Sequence, residues 1–348
     1  MNPILALFIY FMLTMGTILV LISSHWLLIW MGFEINLMAM IPIMTNKNNP
    51  RSTESAIKYF LVQTTASIML MMSISINMMM TSQWTVMCIN NNILSSIITI
   101  SMMMKIGTAP FHMWLPEVAQ GLPLTSSLIL LTWQKIAPLS ILYSLYSSLN
   151  LNLLFTSALL SIALGGWGGL NQTQLRKMMA FSSIAHMGWM MAIMCYNPNI
   201  MILNLFIYMT MTITLFMIFK FNSSTNITSL SLICNKSPVM ASLLALLLLS
   251  LGGLPPLTGF LPKWAVTQEL IKNNNTIMAL IMLMLALISL FFYMRLIYST
   301  SLTMFPSMNN MKLYWKYTKT NKYYPILTSL STISILTLPL SPMLINFY

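Results

Sequence analysis

Gly-Thr-Ala-Pro-Phe-His-Met-Trp-Leu-Pro-Glu occupies residues 107–117, and Gly-Leu-Pro-Pro-Leu-Thr-Gly-Phe-Leu-Pro-Lys occupies residues 253–263. Both stretches interrupt apolar runs that are long enough to cross a membrane. Proline removes a backbone donor and clashes with the preceding turn, so prolines beside glycine break a helix. Broken backbone at membrane depth persists only where protein or a wet cavity surrounds it. The pattern therefore predicts two broken membrane helices beside an interior site.

The composition around these stretches is that of a membrane protein. Of 348 residues, 57% are apolar and 6% are charged, and the mean hydropathy is +0.80. Soluble domains carry about 25% charged residues, so a soluble globular protein is excluded. A membrane helix needs about 20 apolar residues. Eleven such stretches predict an all-α polytopic membrane protein; they fall at about 3–22, 25–44, 54–80, 93–120, 124–145, 150–170, 175–194, 199–221, 238–271, 276–299 and 324–345.

The two broken stretches also align with each other. A glycine, a proline, an aromatic residue, a leucine and a second proline recur at a constant offset of 146 residues. The offset spans five predicted crossings, and because five is odd the second copy is inverted relative to the first. Inverted repeats of this kind place a site near the bilayer midplane in transporters. We expect repeats at 1–145 and 150–300, followed by a basic loop and a C-terminal helix at 301–348.

The distribution of basic residues predicts the orientation of the chain. If each broken stretch crosses the membrane once, the loops on one face collect ten basic residues and those on the other face receive only Lys272. Basic loops mark the side of synthesis. We therefore expect the N-terminus on the basic face and the C-terminus opposite. The ten residues are Lys47, Arg51, Arg176, Lys177, Lys220, Lys236, Lys312, Lys316, Lys319 and Lys322.

Four charged residues fall inside or beside the predicted bilayer core. On insertion scales, each charge at this depth costs about 2.5–3.5 kcal/mol. Static ion pairs between helices are the structural alternative, but three lysines cannot all pair with one glutamate. Desolvation penalises an ammonium group, and a nearby carboxylate or water favours it. We therefore interpret these residues as a proton relay; they are Glu34, Lys105, Lys135 and Lys263.

Two histidines are further relay candidates. His112 lies in the first break and His186 lies in the seventh span. Imidazole can pass protons near neutral pH. A buried histidine whose hydrogen bonds are satisfied is the structural interpretation, and both interpretations stay open for each residue.

The remaining ionisable residues favour structural roles. Glu117 follows a proline at the start of a half-helix, where the helix dipole favours a carboxylate. Glu54, Lys58 and Arg295 lie close enough to the basic face to act as anchors. The three cysteines have no metal or haem spacing. The glycine-rich segment 165–169 lies inside a predicted span and lacks the strand and the acidic partner of a dinucleotide site, so we interpret it as a site of close helix packing. A nucleic-acid binder would carry its positive charge on a polar domain.

Six stretches of the sequence resemble a known family. They resemble the family of subunit 2 of mammalian mitochondrial NADH:ubiquinone oxidoreductase, complex I, an antiporter-like membrane subunit. The resemblance covers nearly the whole chain, and the abundance of Met, Thr and Asn is similar to that of mitochondrially encoded proteins. The stretches are Met-Asn-Pro at 1–3, Lys-Ile-Gly-Thr-Ala-Pro-Phe-His at 105–112, Leu-Thr-Trp-Gln-Lys at 131–135, Gly-Trp-Gly-Gly-Leu-Asn-Gln-Thr-Gln at 166–174, Ser-Ser-Ile-Ala-His-Met-Gly-Trp at 182–189, and 252–264 around the second break.

This resemblance implies a function and a location. It implies proton translocation coupled at a distance to electron transfer from NADH to ubiquinone, with the relay on Glu34, Lys105, Lys135 and Lys263. It implies that this chain holds no cofactor, and that NADH, FMN, iron–sulfur clusters and ubiquinone bind to other subunits. The expected partners are membrane-arm and accessory subunits of complex I and inner-membrane lipids, with cardiolipin as a candidate, and no nucleic acid.

The expected location is the mitochondrial inner membrane, with the N-terminus in the matrix and the C-terminus in the intermembrane space. Two rival functions remain. One is a free-standing cation/proton antiporter, which would move an ion when purified alone. The other is a scaffold that only holds neighbouring subunits, and the midplane charges speak against it.

Overall fold

A computed structural model describes residues 2–46, 49–86, 89, 91–231, 238–302, 324–336 and 339. Within these residues the fold is all-helical, and β-structure is limited to two isolated bridges. The α-helices are α1 Pro3–Ile22, α2 Trp26–Met44, α3 Pro50–Thr81, α4 Asn92–Ile106, α5 Trp114–Gly121, α6 Leu124–Leu131, α7 Ile136–Ser144, α8 Leu151–Gly169, α9 Leu175–Ile193, α10 Pro198–Phe221, α11 Ile227–Ser231, α12 Pro238–Gly252, α13 Phe260–Lys272, α14 Thr276–Leu302 and α15 Tyr324–Leu336.

The chain forms two compact units. Unit 1 comprises residues 1–161 and 190–198, and unit 2 comprises residues 162–189 and 199–348. Six of the described helices are long and apolar enough to span a bilayer, namely α1, α2, α3, α8, α10 and α14. The protein is therefore a multi-pass membrane protein. Most of the predicted basic loop, residues 303–323 of 300–323, and the last residues of the chain lie outside the described residues.

The first broken stretch lies along α3 in unit 1. Its contacts with α3 run in reverse order along the chain, so α4 and α5 lie one after the other, antiparallel to α3. This is the arrangement of one interrupted crossing. In order along α3, the contacts are Gly121 against Ser55, the ion pair of Glu117 with Lys58, the ring contact of Trp114 with Tyr59 at 5.9 Å, and the carbonyl of Lys105 with Gln63.

The two breaks have the same local structure. Each is seven residues long, at 107–113 and 253–259, so the helices end and restart at the 146-residue offset found in the sequence. Gly107 has φ +80° and Gly253 has φ +81°, in the left-handed region that terminates helices. Their amides donate to the carbonyls of Met103 and Leu249, again 146 residues apart. The peptide bonds before Pro110 and Pro256 are both cis.

The predicted span at 124–145 differs from a continuous helix. It consists of α6, a 3₁₀ turn at Trp133–Lys135 and α7. Pro138 accounts for the difference, because its ring has no N–H for the carbonyl of Gln134 and clashes with it. This interruption was not predicted from the sequence. Lys135 therefore lies in a tight turn and not in a regular helix. Its backbone amide donates to the carbonyl of Thr132.

In unit 2 the glycine-rich segment 165–169 allows close helix packing, as the sequence predicted. A β-carbon on Gly165 would stand 2.8 Å from the amide nitrogen of Ala185 on α9. One on Gly169 would stand 3.0 Å from the Phe292 ring on α14. The Arg295 guanidinium donates to the carbonyls of Leu170 and Gln172, just beyond the end of α8. Arg295 therefore holds the end of α8 in addition to any anchoring role.

Candidate functional site

Two of the predicted relay lysines share one small cavity in unit 1. Lys105, at the end of α4, and Lys135, in the 3₁₀ turn, are both buried and both line it. The cavity has a volume of about 20 Å³, which is room for one water molecule. Its other lining residues are Phe33, Asn36, Leu37, Tyr59, Gln63, Ile106, Trp114, Leu115, Leu130, Gln134, Ala137 and Pro138.

The ammonium group of Lys105 faces an aromatic ring. Its Nζ lies 4.2 Å from the centroid of Phe33, a cation–π geometry. Glu34, the next residue of α2, is half-buried and within electrostatic range of Lys105. In the described residues no oxygen of Glu34 lies within 4 Å of a lysine nitrogen. The structure thus brings Glu34 and Lys105 near each other without forming an ion pair.

The cavity wall carries polar groups that can hydrogen-bond to a water molecule. Neither side-chain atom of the Asn36 amide finds a hydrogen-bond partner in the described part of the chain, and the same holds for Nε2 of Gln134. Buried amides are usually hydrogen-bonded. A cavity of this size, with two amides and two amines around it, meets the requirements for an internal water site.

Lys263 lies in unit 2 and is held by the second break. It is buried in the first turn of α13, and its Nζ donates to the carbonyl of Gly252 at 2.6 Å. That carbonyl ends α12, where the helix dipole favours a cation. The aliphatic part of Lys263 covers Gly253, on which a β-carbon would stand 2.8 Å from the lysine Cδ. The Lys263 side chain therefore occupies the space that a side chain at position 253 would need.

A larger cavity adjoins Lys263. It measures about 330 Å³ and is lined mainly by apolar side chains, among them Trp264 and Leu287. Among the described residues that line it, Lys263 is the one charged side chain. This part of the chain therefore places a single amine in a mainly apolar wall.

The two histidines have different surroundings. His112 is buried within the first break, and its Nδ1 lies 3.3 Å from the carbonyl oxygen of Pro110. It does not line the cavity of Lys105 and Lys135. His186 is half-buried on α9, and its ring packs against Tyr208 of α10 with centroids 5.4 Å apart.

Glu117, Glu54 and Lys58 form one surface cluster. Nζ of Lys58 lies 2.8 Å from Glu117 and 2.9 Å from Glu54, and all three side chains are exposed by 41–62%. The bridge joins α3 to the first turn of α5. The cluster therefore links two helices at the surface of unit 1.

The described residues contain no group of three His, Cys, Asp or Glu side chains placed to hold a metal ion. Cys88 and Cys234 lie outside the described residues, and Cys195 is a half-buried free thiol.

Sequence reasoning missed several polar residues of these sites. Asn36, Tyr59 and Gln63 were passed over because one neutral polar residue in an apolar helix gives a weak signal. Tyr208 and Tyr293 are buried in unit 2, and each is hydrogen-bonded to a serine of α9. The adjacent serines at 182–183, beside a histidine, were the available sign of that second cluster.

Comparisons with known proteins identify the family and the fold of this chain. Residues 23–289 match the family described as NADH:quinone oxidoreductase/Mrp antiporter, TM. Residues 290–345 match the family described as NADH dehydrogenase subunit 2 C-terminus. These matches define the class as an antiporter-like membrane domain.

Curated relatives are similar over almost their full length. The chain is 56% identical to NADH-ubiquinone oxidoreductase chain 2 of Ovis aries and 58% identical to that of Sylvisorex ollula, with 99% of each chain covered. The chain therefore belongs to the family of NADH-ubiquinone oxidoreductase chain 2.

Solved structures show the same fold at low identity. A chain of respiratory complex I from Thermus thermophilus with bound aureothin matches with a TM-score of 0.80 and 22% identity, covering 94% of this chain and 78% of that one. A chain of the Mrp complex from Dietzia matches with a TM-score of 0.82 and 12% identity, covering 97% of this chain and 75% of that one.

Proposed function

We propose that this chain is a core membrane-arm subunit of respiratory complex I that contributes to proton translocation. Electron transfer from NADH to ubiquinone takes place on other subunits, which bind NADH, FMN, iron–sulfur clusters and ubiquinone. The family to which the chain belongs supports the assignment to the complex. The observation that carries the translocation role is the shared cavity of Lys105 and Lys135.

The energetics of that cavity favour a proton-handling role over static packing. Two ammonium groups beside one small cavity repel each other, and each already costs about 2.5–3.5 kcal/mol at bilayer depth. Apolar residues of similar volume would be cheaper if the role were packing alone. A lysine on a flexible four-carbon stem exchanges its proton readily when buried. The retained amines are therefore suited to gaining and losing protons in alternation.

The proposed sequence of events uses the charges that each unit provides. In unit 1, Glu34 and Lys105 form a charge pair that opens and closes. When the pair opens, the Lys105 ammonium is no longer neutralised by Glu34 and repels a proton on Lys135. Opening and closing of the pair thus change how often Lys135 is protonated. In unit 2, protons leave through Lys263, whose ammonium form is favoured by the Gly252 carbonyl. His112 and His186 are the histidine candidates for the relay, and Nδ1 of His112 lies 3.3 Å from the carbonyl oxygen of Pro110.

We further propose the topology that the basic residues indicate. The chain crosses the mitochondrial inner membrane eleven times, as two inverted five-helix repeats and one C-terminal helix. The N-terminus faces the matrix and the C-terminus faces the intermembrane space. The identical register of the two breaks supports the repeat. Neighbouring membrane-arm and accessory subunits and inner-membrane lipids, including cardiolipin, are the proposed partners.

The test replaces lysines in the assembled complex. Lys135→Met and Lys263→Met keep length and apolar packing but remove the titrating amine. Each variant should keep NADH oxidation by an artificial acceptor and every redox centre, while ubiquinone-coupled turnover and proton pumping fall together. Lys272→Met is the matched control, because Lys272 is exposed and paired with Glu269.

The outcomes separate the candidate functions. Fully assembled Lys135→Met and Lys263→Met complexes that pump at the parent ratio of protons to electrons would show that the lysines are structural. Proton-driven ion exchange by the purified chain in vesicles would instead identify a free-standing antiporter.

A further inference from the structure

The second break contains one polar side chain, and this side chain is bonded to another helix. Residues 253–259 read Gly-Leu-Pro-Pro-Leu-Thr-Gly, so Thr258 is the one residue of the break whose side chain can form a hydrogen bond. Thr258 is fully buried, and its hydroxyl donates to the backbone carbonyl of Ser334 on α15. The hydroxyl therefore joins the break directly to α15.

The acceptor belongs to the last turn of α15. This helix ends at Leu336, and the last four carbonyls of a helix have no partner within it. A buried carbonyl without a partner costs free energy. The Thr258 hydroxyl supplies a donor to the Ser334 carbonyl, so the bond satisfies a polar group on each side.

The buried face of α15 allows its backbone to approach the break. Leu327, Ser331 and Ser334 lie on one helix face, and all three are buried. Both serine hydroxyls donate to carbonyls of α15 itself. Their hydrogen bonds are thus satisfied locally, and their small size permits the close contact that small residues give between membrane helices.

Thr258 also lies where α13 begins. The amide of Leu261 donates to the carbonyl of Thr258, in the first turn of α13. Lys263 follows in the same turn, and its Nζ donates to the carbonyl of Gly252 at 2.6 Å. A shift of Thr258 would therefore move the Lys263 backbone relative to the carbonyl that binds its ammonium group.

The equivalent residue of the first break makes a different contact. The 146-residue offset places His112 where the second break has Thr258. Nδ1 of His112 lies 3.3 Å from the carbonyl oxygen of Pro110, which belongs to the same break. The hydrogen bond from Thr258 to a further helix therefore distinguishes the second break from the first.

We propose that α15 holds the second break in place through Thr258 and so positions Lys263 for proton transfer. Thr258 is a positioning residue, since it acts through Lys263. This inference rests on the proposed function, because it assumes that Lys263 carries protons. The bond to Ser334 keeps Nζ of Lys263 at the Gly252 carbonyl, where the end of α12 favours the ammonium form.

The test removes the Thr258 hydroxyl in the assembled complex. Thr258→Val keeps the branched shape but cannot donate a hydrogen bond. Ubiquinone-coupled proton pumping should slow by about 5-fold, the scale on which the loss of one hydrogen bond acts. NADH oxidation by an artificial acceptor should not change. Thr258→Ser keeps the donor but loses a methyl group, so it should pump like the parent, whereas a role in packing alone would make it slower.

Thr332→Val is the matched control. Thr332 is exposed on α15, and its hydroxyl donates to the Ser329 carbonyl of the same helix. This variant should pump like the parent. If Thr258→Val pumps at the parent rate, or if Thr258→Ser is slowed as much as Thr258→Val, the inference is overturned.

Lys263→Met, measured alongside, separates this inference from the proposed function. If Lys263→Met loses pumping while Thr258→Val does not, only the positioning role of Thr258 is wrong. If Lys263→Met pumps like the parent, the proposed role of Lys263 is wrong and the positioning role falls with it.

Assembly of the variants also decides. If Thr258→Val does not assemble, Thr258→Ala takes its place with the same expected slowing and the same rescue by Thr258→Ser. If neither variant assembles, the hydroxyl is required for folding rather than for proton transfer, and the inference is overturned.

Discussion

Nζ of Lys105 lies 4.2 Å from the centroid of the Phe33 ring, although Glu34 is the next residue of the same helix. The ring of Phe33 contacts this ammonium, whereas in the described residues the Glu34 carboxylate forms no ion pair with it. A desolvated cation–π contact of this kind is worth about 2 kcal/mol. Phe33 therefore holds Lys105 in the cavity while Glu34 stays available to compete for it.

The first prediction concerns Phe33. Phe33→Leu keeps an apolar side chain of similar size but removes the ring face. Loss of about 1–2 kcal/mol of ammonium stabilisation should slow coupled proton pumping by about 10-fold. Pumping by the assembled variant complex in sealed vesicles measures it.

Leu37→Met is the control for Phe33. Leu37 lines the same cavity one turn further along α2, and the exchange conserves volume without touching the cation. This variant should pump like the parent. Equal slowing of both variants would show that the cavity is sensitive to packing and not to the ring.

The second prediction concerns the glycine that ends α12. Gly253 has φ +81°, and a β-carbon there would stand 2.8 Å from Nζ of Lys263. Gly253→Ala should destabilise the protein by about 1–2 kcal/mol from the backbone alone and displace Lys263 as well. The thermal midpoint of the purified complex and the amount of assembled complex measure the effect.

Gly252→Ala is the neighbouring control for that measurement. A β-carbon on Gly252 would stand 3.6 Å or more from its surroundings, which is ordinary contact. Its thermal midpoint should stay near that of the parent. An unchanged midpoint in Gly253→Ala would contradict the strained-turn interpretation.

The third prediction is a small effect at the surface cluster of Glu54, Lys58 and Glu117. Exposed ion pairs contribute little to stability, because water and salt screen them. Glu117→Gln should therefore lower the thermal midpoint slightly, with the difference shrinking at high salt, and it should pump like the parent. Loss of pumping in this variant would contradict the structural role and show that Glu117 takes part in the relay.

The fourth prediction concerns orientation, which two exposed lysines of unit 2 can report. Lys272 ends α13 and Lys220 lies near the end of α10. In sealed mitoplasts, a membrane-impermeant amine reagent should label Lys272 from the intermembrane side. Lys220 should be labelled only after the membrane is opened. Labelling of Lys220 in sealed mitoplasts would contradict the proposed topology.

The sequence alone predicted the parts of the fold that depend on local backbone chemistry. Proline and glycine spacing located both breaks, since these residues act through their own dihedral angles and missing donors. In the structure, one helix ends at Ile106 and the next begins at Trp114. The second break runs in the same way from Gly252 to Phe260, at the predicted offset. Close packing of the glycine-rich segment was also predicted, because it depends on the small size of glycine, which the sequence shows directly.

The parts that depend on three-dimensional proximity could not be predicted. The sequence placed Glu34 opposite the lysines by charge sign, but the ring of Phe33 takes the contact with Lys105, and the sequence carries no signal for that geometry. The 3₁₀ turn before Lys135 was missed because a single proline in an apolar run is tolerated in many membrane helices. The tyrosine cluster became visible only when three helices met.

Gln63 also limits how the first unit can work. Its Nε2 donates to the carbonyl of Lys105 at 3.4 Å, and the amides of Gly107 and Thr108 both close on the carbonyl of Met103. The backbone that carries Lys105 is thereby tied to α3 and to its own last turn. Rearrangement of this lysine is a matter of rotamers on a four-carbon stem, which requires no microsecond-to-millisecond helix movement. α4 can therefore stay in place while the Lys105 ammonium moves.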